Sequence, residues 1–283
     1  MKLAYLTPLS TETIANARQL GYDGLEAVAA RPGSHALSGL EENLPRLRDA
    51  LAEHHIAITA VAAYGNAIGA PVADALAYYE RAMKLAKALD CAVVAGMTGR
   101  DNSLTVDENL PLFKARFDPI ARLAEDEGVR VAFEPWPGSV LGHGPYRWAN
   151  LATTPELWGK LFETVPSMAL GLEYDPSHLI WQGIDYLQAI RDYGERIYHV
   201  HAKDNIIDQE VLKRVGVHGR GWWRFAIPGR GQIDWHALFG ALKQVGYAGD
   251  VAVEHEDPEY LGEKWNEGLT LALKTLRPLV EAY

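Results

Sequence analysis

The chain has 283 residues, of which 48% are hydrophobic and 23% charged, and this is the balance of a folded protein with a sizeable core. The formal net charge is -10 and Lys and Arg do not cluster, so we expect no nucleic-acid partner, because binding phosphates requires grouped cations. The single cysteine, Cys91, excludes an intrachain disulfide and a thiolate metal cluster. No apolar run approaches the ~20 residues that span a bilayer, and no signal peptide opens the chain. We therefore expect a cytoplasmic protein without membrane contact.

Short apolar runs alternate with stretches of helical periodicity along the chain, which is typical of repeated strand–helix units around a parallel sheet. Strands are predicted at 2–6, 24–28, 56–62, 92–95, 130–133, 169–172, 197–200 and 250–253. Helices are predicted at 11–20, 42–54, 72–89, 107–127, 155–163, 186–193, 235–245 and 263–279. Eight of each predict a (β/α)8 TIM barrel of the α/β class, formed by residues 1–283 as one domain. A doubly wound open sheet is the alternative, but the glycine-rich nucleotide turn typical of that fold is missing.

Two predicted connections are long, at 135–154 and 202–233. Both leave the carboxyl ends of strands, where the active sites of barrels are built. Long loops in a compact barrel are usually functional. We therefore expect both loops to shape a site.

Four consecutive predicted strands each end in a polar residue that can bind a metal. In chain order these residues are Glu134, Asp175, His201 and Glu254. Three carboxylates crowded at the mouth of an apolar barrel would repel one another strongly unless a cation lay among them. The sequence therefore predicts one divalent metal ion, with Mn2+ as the first choice and Mg2+, Co2+ or Zn2+ as alternatives, since the donors are oxygens and one imidazole.

The sequence resembles the xylose isomerase-like TIM-barrel superfamily of sugar isomerases and epimerases, in particular the branch with ketose 3-epimerases, inosose isomerases and inosose dehydratases. The residues that carry the resemblance are Gly24-Leu-Glu26, Phe133-Glu134-Pro135, Asp175-Pro-Ser-His178, His199-Val-His201-Ala-Lys203-Asp204, Pro228-Gly-Arg-Gly-Gln-Ile-Asp234-Trp235 and Glu254-His-Glu256-Asp257. The resemblance implies that Glu134, Asp175, His201 and Glu254 bind the metal and that the two glutamates form the acid–base pair. It also implies that His178 and Arg224 contact substrate hydroxyls.

Other residues near these strand ends are candidates for binding a sugar-like substrate or for supporting the metal. Aromatic rings stack on the C–H face of a sugar, and Trp136 and Trp222 lie in the two long loops. Glu26 and Lys203 are further candidates for contacts with substrate oxygens, with a salt bridge or neutralisation of the acidic rim as the alternatives. Asp204 and Glu256 are predicted to orient His201 or a bound water, because metal-binding imidazoles usually donate their second N–H to an acceptor.

Proton transfer beside a carbonyl group is the predicted chemistry. The metal would stabilise an enediolate on the substrate while Glu134 and Glu254 remove and return the proton, which gives an isomerase or epimerase of sugars or keto-cyclitols. The alternative is a metal-dependent lyase or dehydratase that eliminates from keto-sugars, inososes or 3-keto-glycosides. Phosphodiester cleavage and a non-catalytic regulatory barrel are hypotheses from other classes, and the acidic charge and the intact glutamates disfavour them. A homodimer or homotetramer is expected, with a heteromer as the alternative.

Overall fold

The fold was analysed in a computed structural model that describes residues 1–29, 37–138 and 148–283. Eight parallel strands close into a barrel in the order β1-β10-β7-β6-β5-β4-β3-β2. The barrel strands are β1 Leu3–Pro8, β2 Gly24–Val28, β3 Ala57–Ala62, β4 Val93–Gly96, β5 Arg130–Phe133, β6 Leu170–Tyr174, β7 Ile197–Ala202 and β10 Val251–Val253. The predicted TIM barrel is confirmed, and the open sheet is wrong because β1 pairs with both β2 and β10.

Helices surround the barrel, and some of them begin or end at capping residues. They are α1 Thr11–Leu20, α2 Leu37–His54, α3 Val72–Ala88, α4 Val106–Glu127, α5 Pro155–Thr164, α6 Pro176–Ile180, α7 Tyr186–Tyr193, α8 Gln209–Val215, α9 Trp235–Gln244 and α10 Trp265–Glu281. At the start of α4, the side chains of Thr105 and Glu108 each accept a hydrogen bond from the other residue's backbone N–H, which is a capping box. At its end, Gly128 adopts a left-handed conformation with a φ of 68°. Among the described residues, no helix is both long and apolar enough to cross a membrane.

The predicted loop 202–233 was wrong in part, because it contains regular structure. Strands β8 Asp204–Ile207 and β9 Trp223–Ala226 pair as an antiparallel ribbon, and α8 connects them. The apolar pattern of this region is too short to be distinguished from a loop in the sequence alone. In the other predicted loop, residues 139–147 lie outside the described part of the chain.

Packing outside the barrel fixes the end of β5. Phe113 and Phe117 of α4 stack with ring centroids 4.7 Å apart, and both rings contact Phe133 edge-on, at 6.0 and 5.0 Å. All three side chains are fully buried. Because Phe133 is the last residue of β5, its packing against α4 places Glu134 at the mouth of the barrel.

Alternate residues of β7 point into the barrel. His199 contacts Thr59 of β3 and Glu173 of β6, while His201 contacts Glu26 of β2. These contacts cross the barrel, so both imidazoles occupy its interior. Lys203 continues the same alternation one step above His201 and is also buried.

Candidate metal centre and active site

Three of the four predicted metal ligands form one buried cluster. Glu134, Asp175 and Glu254 each offer a carboxylate oxygen, and His178 offers a ring nitrogen, all within 4.8 Å of one another. The residues follow strands β5, β6 and β10, and His178 lies on the short helix α6 that begins directly after Asp175. The structure thus brings together the strand ends that the sequence singled out.

Asp175 has one oxygen committed to the fold and one directed into the cluster. Its Oδ1 accepts a hydrogen bond of 2.8 Å from the backbone N–H of Ser177 and so caps α6. Its Oδ2 is buried and makes no hydrogen bond with the described residues. A buried carboxylate oxygen favours a cation, and the ammonium of Lys203 lies 3.2 Å from this one.

His201, the fourth predicted ligand, reaches the cluster through its Nδ1. This atom lies 3.0 Å from Glu254 Oε2 and has no hydrogen-bond partner in the described parts of the chain. The opposite nitrogen, Nε2, donates to Glu26 Oε2 at 2.8 Å. The Nε2 bond to Glu26 would leave the Nδ1 lone pair available if a metal bound there.

His178 lies on the other side of the same cluster. Its Nε2 is 3.3 Å from Glu134 Oε1 and also 3.3 Å from Asp175 Oδ2. The same nitrogen is 3.3 Å from the ammonium of Lys203. The geometry therefore offers two imidazoles near the carboxylates, and His201 is the one whose ring is held from behind by a carboxylate.

A second group of buried polar residues lies deeper in the barrel and supports His201. The carboxylate of Glu173 accepts a hydrogen bond of 3.1 Å from His199 Nδ1 and one of 2.7 Å from the hydroxyl of Tyr64. Thr59 lies 3.2 Å from the other nitrogen of His199. These residues satisfy one another, so the group is best described as a hydrogen-bonded network behind the metal cluster, although Glu26, Glu173, His199 and His201 also have the spacing of a metal site.

Burial and charge act differently on the two glutamates proposed for proton transfer. Burial, together with the charge of Glu254, raises the pKa of Glu134 well above its usual range. Burial alone would also raise the pKa of Glu254. The positive charges of Lys203 and His201 outweigh burial and hold the pKa of Glu254 well below its usual range. Without a metal, Glu134 therefore holds a proton more tightly than Glu254 does.

Lys203 is surrounded by acidic groups. Its ammonium lies 2.5 Å from Glu254, 3.1 Å from Glu256 and 3.2 Å from Asp175. Burial alone would lower the pKa of Lys203, but these carboxylates together raise it well above its usual range. The predicted contact of Lys203 with substrate oxygens stays a prediction, and in the structure its N–H groups face carboxylates.

Aromatic rings from the β8–β9 ribbon and from α6 form a wall beside this cluster. Phe225 meets the His178 ring edge-on at 5.5 Å and lies 4.3 Å from Lys203 Nζ. Trp223 packs against Phe225 and stacks on Trp181 with centroids 4.9 Å apart. Such a surface suits the C–H face of a sugar.

The two tryptophans predicted to bind substrate differ in exposure. Trp222 is 1% exposed, and its indole N–H has no partner among the described residues. Trp136 is 39% exposed, beside the end of β5. Neither placement tests a substrate contact, and both roles stay predictions.

Three other predicted residues have partners that clarify their roles. Asp204 makes no contact with His201 among the described residues. Its carboxylate accepts hydrogen bonds from the backbone N–H groups of Gly229 and Ile233 and from the indole N–H of Trp235. It therefore anchors the turn after β9. Arg224 donates to Asp257 at 2.9 Å and also bonds Glu259. Glu256 contacts Lys203 instead of His201. The sequence resemblance could not foresee these contacts because the ribbon that makes them was not predicted.

Sequence reasoning missed the supporting residues Glu173 and Tyr64, and it included His199 only within the motif that carries the family resemblance. Glu173 and His199 lie two residues before Asp175 and His201, so strand alternation turns them toward the same interior, and that signal was available. Tyr64 follows β3 in a loop, and the sequence carries no pattern that indicates its contact with Glu173.

The residues fit a divalent metal ion. The fit rests on Asp175 Oδ2 and His201 Nδ1, two buried atoms that make no well-aligned hydrogen bond within the described structure, beside the carboxylates of Glu134 and Glu254. Three hard oxygens and one imidazole are the donors that Mn2+, Mg2+, Co2+ and Zn2+ accept.

The chain belongs to the family of xylose isomerase-like TIM barrels, since the model of this family matches residues 14–279. An inosose dehydratase of Clostridium beijerinckii is 30% identical over 159 residues, which cover 54% of this chain and 49% of that protein. The chain thus spans about half the length of this curated relative.

Solved structures show the same fold at low identity. A D-psicose 3-epimerase from Clostridium cellulolyticum H10, crystallised with D-tagatose, superposes with a TM-score of 0.74 at 20% identity and covers 99% of each chain. The IOLI protein, solved with a bound zinc atom, superposes with a TM-score of 0.73 at 21% identity and covers 100% of this chain and 99% of its own.

Proposed function

We propose that this chain is a divalent-metal-dependent isomerase or epimerase that moves a proton next to the carbonyl group of a sugar or keto-cyclitol. The observation that carries the proposal is the cluster of Glu134 and Glu254 with Asp175, next to Nδ1 of His201. The two glutamates follow strands β5 and β10, which are separated by β6 and β7 in the barrel, and they form an acid–base pair.

The metal supplies one part of the chemistry. Glu134, Asp175, His201 and Glu254 would hold a divalent ion, which when bound would supply Lewis-acid stabilisation of the negative charge that develops on a carbonyl oxygen. The choice among Mn2+, Mg2+, Co2+ and Zn2+ is part of the proposal, with Mn2+ first.

The protein's own residues move the proton. Glu254, which follows strand β10, is the base that removes it. Glu134, which follows strand β5, is the acid that returns a proton. Return to the opposite face of the same carbon gives epimerisation, and return to the neighbouring carbon gives isomerisation.

Positioning falls to the surrounding side chains. His178 faces the carboxylates and packs against Phe225, so its ring is placed to contact a hydroxyl near the reacting carbon. The wall of Phe225, Trp223 and Trp181 would exclude water from one side of a ring and stack on its C–H face.

Elimination is the second candidate, and the 30% identity to an inosose dehydratase favours it specifically. It requires the same proton removal by Glu254. The proton of Glu134 would then pass to a departing hydroxyl group instead of returning to carbon. Inososes, keto-sugars and 3-keto-glycosides are the substrates that this alternative predicts.

Solvent exchange separates the two candidates. The protein is supplied with Mn2+ and incubated in D2O with ketohexoses, inososes and 3-keto-glycosides, and the products are followed by NMR. Deuterium uptake at carbon without loss of water or aglycone is expected for the isomerase or epimerase, and an enone product for the lyase. Glu134→Gln and Glu254→Gln should abolish either reaction, while Glu281→Gln, on the exposed end of α10, should not. If none of these substrates exchanges deuterium or loses water, the proposal is contradicted.

A further inference from the structure

Lys203 contacts the oxygens that the metal would use. Its ammonium lies 3.2 Å from Asp175 Oδ2 and 2.5 Å from Glu254 Oε2. The first of these atoms makes no well-aligned hydrogen bond with the described residues, and the second lies 3.0 Å from Nδ1 of His201. A metal bound to these oxygens at roughly 2.0–2.2 Å would lie close to the ammonium.

Two cations cannot share these oxygens without strong repulsion, because screening by water is weak where all the groups are buried. Lys203 is 1% exposed, so its charge cannot move into solvent without a change in its conformation. The ammonium of Lys203 also contacts two other groups. Its ammonium is 3.1 Å from Glu256, which is 48% exposed, and 4.3 Å from the ring of Phe225. Both contacts favour a cation and lie outside the set of metal ligands.

We propose that Lys203 is an internal counter-cation that holds the carboxylates of Asp175 and Glu254 together without metal and moves toward Glu256 and Phe225 when a metal binds. The inference rests on the metal site in the proposed function and adds a function to it. Metal affinity is set partly by the work of displacing this ammonium, and the metal-free barrel keeps its cluster intact because the ammonium is present.

The expected consequences have opposite signs for two variants. Lys203→Met removes the competing charge while keeping an unbranched side chain, so the association constant for Mn2+ should rise at least about tenfold. Glu256→Gln removes the negative charge toward which the ammonium moves, so the association constant should fall by about threefold to tenfold. Lys213→Met is the matched control, because Lys213 lies on the exposed helix α8 and pairs with Glu210.

Calorimetric titration of the chelator-treated proteins with Mn2+ measures these constants, and thermal unfolding of each variant with and without Mn2+ supplies a second measurement. The metal-free Lys203→Met protein should melt at a lower temperature than wild type, and Mn2+ should raise its melting temperature by more than it raises that of wild type.

If wild type binds Mn2+ but Lys203→Met binds it equally or more weakly, the inference about Lys203 is overturned while the proposed metal site stands. If wild type itself binds no Mn2+, the metal site of the proposed function fails. Should Lys203→Met not fold, Glu256→Gln still decides, because unchanged or tighter Mn2+ binding by that variant contradicts the proposed movement.

Discussion

The imidazole of His201 lies between two carboxylates, with Nε2 2.8 Å from Glu26 and Nδ1 3.0 Å from Glu254. Glu26 was predicted to bind substrate, and its full burial beside His201 makes orientation of the imidazole the role we now propose for it. A carboxylate behind a metal-binding imidazole fixes its tautomer and increases its basicity.

Replacing Glu26 with Gln should weaken metal binding without removing a ligand. The neutral amide still accepts from His201 Nε2 but no longer increases the basicity of the ring, so the Mn2+ affinity should fall by about 10-fold to 100-fold. Titration calorimetry measures the change, with Glu281→Gln as a control for the loss of one charge. An unchanged affinity would mean that Glu26 does not act through His201.

Alanine substitution distinguishes the contributions of His201 and His178 to metal binding. His201→Ala should lower Mn2+ affinity by more than about 100-fold, because it removes a ligand, whereas His178→Ala should change it by less than about tenfold. The same titration tests both. A larger loss for His178→Ala than for His201→Ala would assign the metal to His178 instead.

At the scale of elements, strand ends were predictable and the ribbon was not. The apolar runs before Glu134 and Glu254 are strong signals, and parallel strands in a barrel necessarily bring such ends together. The β8–β9 ribbon depends on the tertiary contacts of Asp204 with the turn that contains Gly229 and Ile233. Local sequence does not encode such contacts, which is why Asp204 was assigned to His201.

Asp204→Asn should destabilise this ribbon. The carboxylate accepts three hydrogen bonds from the turn and from Trp235, and an amide group loses acceptor capacity and presents a donor to donors. The free energy of unfolding should fall by about 2 to 4 kcal/mol, since bonds to a buried charged group contribute about 1.5–3 kcal/mol each. Urea denaturation of this variant and of Asp126→Asn, a change on the exposed face of α4, measures the effect. Equal stability of the two would refute the anchoring role.

For the whole molecule, the alternation of eight strands and eight helices predicted the barrel, because hydrophobic periodicity and connection lengths leave few other arrangements. The charge balance inside the barrel could not be predicted in the same way. It depends on Glu173 and Tyr64, which approach each other from β6 and from the loop after β3. A homodimer or homotetramer remains a prediction.

The buried acids predict how the stability of the metal-free protein depends on pH. Burial, with the charge of Glu26, raises the pKa of Glu173 to about 7, and burial with that of Glu254 raises the pKa of Asp175 to about 6. In the unfolded chain both titrate near about 4, so the folded state binds more protons between these values. This stabilisation is fully present below about pH 4 and is lost as the pH rises toward 7.

The melting temperature of the metal-free protein should therefore fall between about pH 4 and pH 7. Glu26 and Glu254, whose pKa values are lowered, act in the opposite sense at lower pH. His178 and His255, whose pKa values are lowered by burial, make the fall smaller below about pH 6.5. Calorimetric scans across this range measure the effect, and saturating Mn2+ should flatten or reverse it because the metal binds the ionised groups. Glu173→Gln should reduce the slope. A melting temperature that rises with pH in the metal-free protein would contradict this description of the interior.

Metal stoichiometry tests the central claim most directly. The protein is stripped with chelator, equilibrated with Mn2+, separated from free ion, and its metal content is determined by mass spectrometry. We predict about one ion per chain for wild type and a large loss in Asp175→Asn and His201→Ala, with Asp126→Asn binding as wild type does. A wild-type protein that retains no divalent ion under these conditions, or that retains it equally after loss of Asp175 and His201, would contradict the account.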